Sequence, residues 1–356
     1  MLERGIRMLK TPVFAAPAAN AALVASTIER REPRANDVLI EIDYCGVCHS
    51  DLHQVRDEWG AAKFPMVPGH EIVGRVKQVG AKVTRFQVGD RVGVGCLVDS
   101  CGTCASCQRH HEQFCEKGAA MTYNGTEMDR VTPTQGGYAT QVVVDEKFTL
   151  KIPDGLDLAA AAPLLCAGIT TYSPLRQWNT KKGDRVGVVG LGGLGHMAVK
   201  LAASMGAEVT MLSTSKNKEA DARKLGASGF ASTKDPATFT KLAGQLDLII
   251  DTISAQHDYN QYLGMLRPYG AMVLLGAPPE PSPLAAFALI MGNRRLAGSL
   301  IGGLAETQEM LDYCAAHKVQ SEIEIIPMQK INEAYERMLV GDVRYRFVID
   351  IASLRQ

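Results

Sequence analysis

Four cysteines, Cys101, Cys104, Cys107 and Cys115, follow the pattern C-x2-C-x2-C-x7-C within one short stretch. Zinc takes thiolates at tetrahedral corners, and spacings this short let a single folded loop deliver all four. Gly102 and the small residues Thr103, Ala105 and Ser106 permit the tight turns that such wrapping requires. A four-thiolate set leaves no open position, so the metal it holds is structural. Disulfides and inert buried thiols are the other uses of the same residues.

A second group of ligand-type residues is more scattered. "YCGVCHSDLH" supplies Cys48, Ser50, Asp51 and His53; "VPGHEIVG" supplies His70 and Glu71; "PLLCAGITTY" places Cys166 in an apolar run. Two cysteines and one histidine make up the donor set of a catalytic zinc that keeps its fourth position open. The residues alone leave a plainer reading standing as well. A histidine after Pro-Gly serves many turns, and a cysteine among leucines serves many cores.

A third constellation reads as a phosphate cradle. "RVGVVGLGGLGHMAVKLAASMG" is an apolar strand, a turn with Gly190, Gly192 and Gly195 in G-x-G-x-x-G spacing, and a helix. The turn includes Leu191, Gly193 and Leu194. Glycines let the backbone approach a pyrophosphate, which then sits on the free amides of the helix N-terminus. The apolar stretches "EVTML", "LDLIIDT" and "AMVLLGA" continue a parallel-sheet pattern. An acidic residue about 20 positions after the fingerprint normally takes the ribose 2′-hydroxyl of NAD. This chain instead has Ser213, Thr214, Ser215 and Lys218, with no carboxylate before Glu219. Hydroxyls and an ammonium group there suit a 2′-phosphate, so the expected cofactor is NADP(H).

The elements that position these groups follow from bulk properties. With 356 residues, 46% hydrophobic and 21% charged, the chain is long enough for two domains with sizeable cores. Thirty-four glycines suit an α/β architecture with tight turns. Lysine plus arginine balances aspartate plus glutamate at 38 each, so there is no basic field for nucleic acid. "LAAAAPLLCAGIT" is too short for a membrane span and is broken by Pro163, so it is expected to be a buried segment. The charged start lacks a signal-peptide pattern. A cytoplasmic protein with reduced thiols is the expectation, and there clustered cysteines favour metal over disulfides. Met8 offers an alternative start, which would make the first seven residues dispensable.

Taken together, C-G-V-C-H-S-D-L-H, the G-H-E motif, the four-cysteine lobe and "PLLCAGITTYSPL" resemble the zinc-dependent medium-chain alcohol dehydrogenases. Within them the chain is most similar to the cinnamyl alcohol dehydrogenase branch, including its bacterial aldehyde reductases. The likeness runs from about Leu9 to "GDVRYRFVID", with every motif in order. It implies an α/β fold in which a GroES-like, β-rich catalytic domain joins a doubly wound Rossmann domain. Residues 1–158 and 302–356 would form the first, with a structural-zinc lobe at 96–118, and 159–301 the second. The active site would lie in the cleft between them.

The resemblance also implies roles. Two zincs per chain are expected: a catalytic one on Cys48, His70 and Cys166, and a structural one on Cys101, Cys104, Cys107 and Cys115. Glu71 would approach the catalytic metal during ligand exchange, and Asp51 would orient a ligating imidazole. The developing alkoxide needs a proton, and the Ser50 hydroxyl would contact it, linked through the cofactor ribose to His53. The branch usually has threonine where this chain has Ser50, which keeps the hydroxyl but drops the methyl that limits its rotation. Ser213, Thr214 and Lys218 would bind the 2′-phosphate. Thr170, Thr252, Gly276, Ser299 and Ile301 would line the nicotinamide half. Cys45, Cys96 and Cys314 match no ligand position and are read as core residues. Trp59 is a candidate for the substrate pocket or for plain surface packing. The partner would be a small aldehyde or alcohol, and the assembly a homodimer. The rival readings are a zinc-stabilised binding module without redox chemistry, and a quinone or enone reductase of the zinc-independent type.

Overall fold

The structure, a computed structural model, describes residues 8–355. The reading of the first seven residues as dispensable lies outside that range. The chain folds into two compact units, one running to Cys166 and resuming at Gly302, the other Ala167–Ile301.

The first unit is built on the strand Asp37–Gly46. Val38, Ile40 and Ile42 are fully buried on one face, and Leu39 is buried on the other. A strand covered on both sides belongs in the middle of a sheet, and this one does. Its sheet runs, in order, Leu150–Lys151, Arg91–Val94, Ile72–Val79, Asp37–Gly46, Arg346–Asp350 and Ile323–Pro327, with Gln141–Asp145 also paired to the central strand. All these pairings are antiparallel except that between Ile323–Pro327 and Arg346–Asp350.

Register decides what the sheet can position. Cys45 lies opposite Ile72, Ile72 opposite Val94, and Gly46 opposite Val348. Four strand ends therefore meet at one edge: the exit of Asp37–Gly46, the entry of Ile72–Val79, the exit of Arg91–Val94 and the entry of Arg346–Asp350. A slip of one residue in any pairing would turn its side chains to the opposite face.

The segment 158–166 belongs with this sheet. The short helix Leu158–Ala161 and the 3-10 turn Ala162–Leu165 are almost wholly buried, as expected for "LAAAAPLLCAGIT". Gly93 and Gly95 make room for it, since a Cβ on either would come within 2.9 Å of Leu165 atoms. The boundary of this unit accordingly falls after Cys166. Among the described residues no single helix is long and apolar enough to cross a membrane.

The second unit holds six parallel strands. Numbered by appearance, Arg185–Val189, Glu208–Ser213, Gly229–Ser232, Leu246–Asp251, Leu266–Leu274 and Arg295–Gly298 lie in the order 3-2-1-4-5-6. That order is the doubly wound dinucleotide-binding arrangement, whose strand order reverses beside the first strand. The apolar stretches expected to be strands are strands, and the glycine turn leads into the helix Gly195–Ser204.

Candidate active site

Chain continuity and register bring the second ligand group together. Cys48 follows the exit of Asp37–Gly46 and caps the helix His49–Val55. His70 and Glu71 precede the entry of Ile72–Val79, and Gly46 N–H donates to Glu71 C=O at 2.9 Å. Cys166 comes from the buried segment beside them. Its Sγ lies 4.0 Å from Cys48 Sγ and 3.3 Å from His70 Nε2. Donor atoms of Cys48, His70, Glu71 and Cys166 all fall within 4.8 Å of one another.

Asp51 locks this geometry. It is fully buried, and its carboxylate accepts from Cys48 N–H at 2.9 Å, Gly69 N–H at 3.1 Å and Tyr138 O–H at 3.4 Å. It also accepts the Nδ1–H of His70 at 3.0 Å. That bond fixes the imidazole tautomer and turns Nε2 towards the two sulfurs. The Tyr123 ring stacks on His70 with centroids 5.9 Å apart and limits its rotation.

Glu71 is fully buried, and burial pushes its carboxyl up to about 7 against the pull of the Arg346 guanidinium. Arg346, 5% exposed, forms an ion pair with Glu71 Oε1, while Oε2 has no hydrogen-bond partner. Gly46 is required here, because a Cβ would sit 1.9 Å from Glu71 Oε2. The two thiols behave as a pair: the bond from Cys166 pulls Cys48 well below the ordinary thiol range, and Cys166 rises in return. Burial opposes charge on His70, but Asp51 outweighs it and raises the imidazole well above its usual value.

Ser50 Oγ lies 3.7 Å from Cys48 Sγ, at the edge of this group. His53 directs Nδ1 to the Glu58 carboxylate, and its ring is 5.1 Å from that of Trp59. Trp59 is 58% exposed.

The first cysteine group also converges. Cys101 Sγ is 3.9 Å from Cys107 Sγ, and all four sulfurs lie within 4.8 Å of one another. Backbone amides point at the sulfurs: Cys104 N–H to Cys101 at 3.3 Å, Cys101 N–H to Cys115 at 3.5 Å and Glu116 N–H to Cys104 at 3.4 Å. Such donors favour thiolates. The amide of Thr103 is the main cause that brings Cys101 down to about 6. The lobe is anchored by Glu112, whose carboxylate accepts from Leu304 N–H at 3.0 Å and so caps the helix Leu304–His317.

In the second unit, Gly190 has φ +89°, and a Cβ there would lie 2.9 Å from Ile253. A Cβ on Gly195 would sit 1.8 Å from Gly190 O. Gly192 faces open space, which leaves the backbone approachable by a ligand. Thr252 Oγ1–H bonds Val189 O at 2.7 Å and reaches Gly190 O at 3.2 Å. Ser213 ends its strand and accepts from Ser215 N–H at 3.2 Å. Lys218 reaches back to donate to Leu191 O at 2.8 Å, linking the phosphate-type residues to the glycine turn. Thr214 is exposed beside them. Gly276 abuts Ile253, and Ser299 N–H donates to Leu274 O at 3.2 Å. Thr170 is buried in the helix Ala167–Gln177, and Ile301 has φ +38°.

Comparison with known proteins agrees with both units. The alcohol dehydrogenase GroES-like domain matches residues 34–154, and the zinc-binding dehydrogenase domain matches residues 193–316. An NADP-dependent alcohol dehydrogenase C of Mycolicibacterium smegmatis is 56% identical over 98% of this chain and 100% of its own. The chain belongs to the zinc-binding alcohol dehydrogenases. A cinnamyl alcohol dehydrogenase of Sorghum bicolor superposes with a TM-score of 0.94 at 45% identity, covering 97% of this chain and 98% of its own. The cinnamyl alcohol dehydrogenase of Helicobacter pylori, complexed with NADP(H), gives 0.91 at 42% identity, covering 97% and 99%.

As a zinc-binding alcohol dehydrogenase the protein is an oxidoreductase, and its donor sets fit the metal. Tetrahedral zinc with Zn–S of about 2.3 Å separates two sulfurs by about 3.8 Å and a sulfur from an imidazole nitrogen by about 3.6 Å. The separations of 4.0, 3.9 and 3.3 Å are close to these values. A binding module without redox chemistry would leave the glycine turn and the second donor set unexplained. A zinc-independent reductase would leave both donor sets unexplained.

One residue joins the site that sequence reasoning passed over. Arg346 holds Glu71. Cys96 is buried as expected of a core thiol, and its Sγ–H lies 3.9 Å from the carbonyl of Leu165, the residue before Cys166. Cys45 and Cys314 are fully buried as expected, Cys314 against Met310 Sδ at 3.6 Å.

Proposed function

We propose that the chain is an NADP(H)-dependent alcohol dehydrogenase working chiefly as a reductase of aromatic and medium-chain aldehydes. The observation that carries this reading is the convergence of Cys48, His70 and Cys166, two thiols and an imidazole, with the fourth donor, Glu71, paired to Arg346. In this reading Cys48, His70 and Cys166 hold the catalytic zinc with Glu71 as alternate ligand, and Cys101, Cys104, Cys107 and Cys115 hold the structural one. The unit carrying both is the catalytic domain, and Ala167–Ile301 is the nucleotide domain. When bound, zinc supplies Lewis acidity at a carbonyl oxygen and the reduced nicotinamide supplies hydride.

The chain's own residues do the rest. Two thiolates offset the charge of a divalent ion, so an apolar pocket need not hold a large net charge. Asp51 keeps the His70 proton on Nδ1 and leaves Nε2 free as donor. The Ser50 hydroxyl donates the proton that a developing alkoxide requires. The imidazole of His53, oriented by Glu58, replenishes it.

Ser213, Thr214, Ser215 and Lys218 recognise the 2′-phosphate, and relatives named for NADP support this choice. The remaining cofactor contacts are Thr170, Gly190 to Gly195, Thr252, Gly276, Ser299 and Ile301. Ser213→Asp sets a carboxylate against the phosphate. The expected result is a loss of roughly 100-fold in kcat/KM with NADPH and a gain with NADH. Steady-state kinetics with both cofactors check it, and an unchanged ratio would remove Ser213 from the phosphate site.

The edge strand Arg295–Gly298 leaves one side without a partner strand. Beside it in sequence, Phe287, Ile290 and Met291 are 65–76% exposed. An unpaired edge next to exposed apolar side chains suits a second copy of the chain, so the assembly is a homodimer. Nine free cysteines, six of them in the two metal sets, support a reducing compartment such as the cytoplasm. The purified protein should sediment at twice 38.4 kDa and carry about two zincs per chain. With a panel of aldehydes it should oxidise NADPH. Zinc-loaded protein inactive on every aldehyde would defeat the proposal.

A further inference from the structure

His257 lies outside both metal sets, and the chemistry above does not use it. Its Nε2 is 2.9 Å from Asp251 Oδ2 and its Nδ1 is 2.8 Å from Ala255 O. Both ring nitrogens thus face acceptors. A neutral imidazole carries one N–H and can satisfy only one of them, whereas the imidazolium donates to both. The surroundings hold the ring in place. Tyr259 and Tyr262 meet it edge-on with centroids at 4.9 and 5.5 Å, and its side chain is 12% exposed. The charged and titratable groups that face it are Asp251 from the strand, Asp258 at the cap of the next helix, and these two tyrosines.

Asp251 is a hub for the cofactor side of the nucleotide unit. It is fully buried; Oδ1 accepts from Ile253 N–H at 3.1 Å. Its carbonyl accepts from Leu275 N–H at 2.9 Å and Gly276 N–H at 3.3 Å. Between Asp251 and Ile253 stands Thr252, whose hydroxyl reaches Gly190 O. One residue therefore connects the glycine turn, the 252–258 loop and the 275–276 turn.

We propose that His257, as an imidazolium, is a positioning residue that ties the 252–258 loop to Asp251, holding Thr252 and Gly276 in place for the cofactor. Cofactor affinity then falls as the ring loses its proton. This inference rests on the reading of Thr252 and Gly276 as cofactor contacts. Burial disfavours the charged ring, but the bonds to Asp251 and Ala255 O and the charges of Asp251 and Asp258 together outweigh it and raise the imidazole above its ordinary value. The sign follows: the brace is complete at acid to neutral pH and is lost as pH rises through the raised value.

The test is NADPH binding to the zinc-loaded enzyme by fluorescence titration, from about pH 6 to about pH 9, for wild type and His257→Gln. Comparing the two proteins cancels titration of the cofactor and of all other groups. The variant should bind about tenfold more weakly at the acid end, the scale of one charge-assisted hydrogen bond, and the two should converge at the alkaline end. Proton NMR of the wild-type ring, assigned by its loss in the variant, should show His257 still protonated where an ordinary histidine is neutral. A variant-to-wild-type ratio that does not change with pH overturns the inference, as does a ring that titrates below the ordinary value. If the variant is too unstable to titrate, the affinity and NMR profiles of wild type must share one midpoint, and separate midpoints overturn it. Wild type that fails to bind NADPH at every pH overturns the cofactor reading itself, and this inference with it.

Discussion

Cys166→Ala leaves a folded protein with about one zinc per chain in place of two, and turnover down by at least on the order of 1000-fold. The fold survives because Cys166 sits at the end of a segment already held by Leu165 against Gly93 and Gly95. The chemistry does not, because removing one of three donors takes the Lewis acid away. Cys96 complicates the single substitution in a useful way, since it is a buried thiol close to the carbonyl of Leu165, the residue before Cys166. The Cys96→Ala/Cys166→Ala pair is the clean comparison, and zinc retained only by the single variant would mark Cys96 as a substitute ligand. Metal analysis and aldehyde kinetics decide, and full zinc with full turnover in the double variant would sink the ligand assignment.

Cys104→Ala has its largest effect on stability. The cage ties Cys101 to Cys115, and Glu112 within that stretch caps the helix Leu304–His317. Loss of the metal therefore loosens the lobe and uncaps a helix distant in sequence. Because binding to a structural site is folding free energy, the melting temperature should fall by about 10 °C or more. Turnover per folded molecule, measured well below that transition, should stay within a few-fold of wild type. A variant with unchanged melting temperature and zinc content would rule out the structural cage.

How far the sequence showed all this depended on whether the information was local. The cage was legible because its ligands are neighbours in the chain and spacing alone limits what they can do. The strand, turn and helix around Gly190 were legible because apolar periodicity and glycine placement are local signals too. The catalytic set was legible only through resemblance: nothing about Cys48, His70 and Cys166 taken singly separates a ligand from a turn or core residue. The role of Arg346 escaped, and the neighbourhood of Cys96 with it, because both depend on register. Arg346 reaches Glu71 because Val348 lies opposite Gly46, and Cys96, just past the strand whose Val94 lies opposite Ile72, reaches the Leu165 carbonyl. Neither pairing leaves a mark in composition or periodicity. His257 escaped for a related reason, since the significance of two facing acceptors appears only once the loop is folded.

The meeting of four strand ends also separates the two metal sets in the history of each molecule. The cage closes on a loop from Cys101 to Cys115, whereas the triad closes one from Cys48 to Cys166 and stands beside an arginine supplied by the last strand. Loop-closure entropy grows with length, and here it must be met before the strands are in register. A chain still leaving the ribosome can complete the cage from its own neighbouring residues. The second set must wait for Cys166, and the arginine that pairs with Glu71 for the last strand, so its surroundings are completed only when nearly the entire polypeptide has been made.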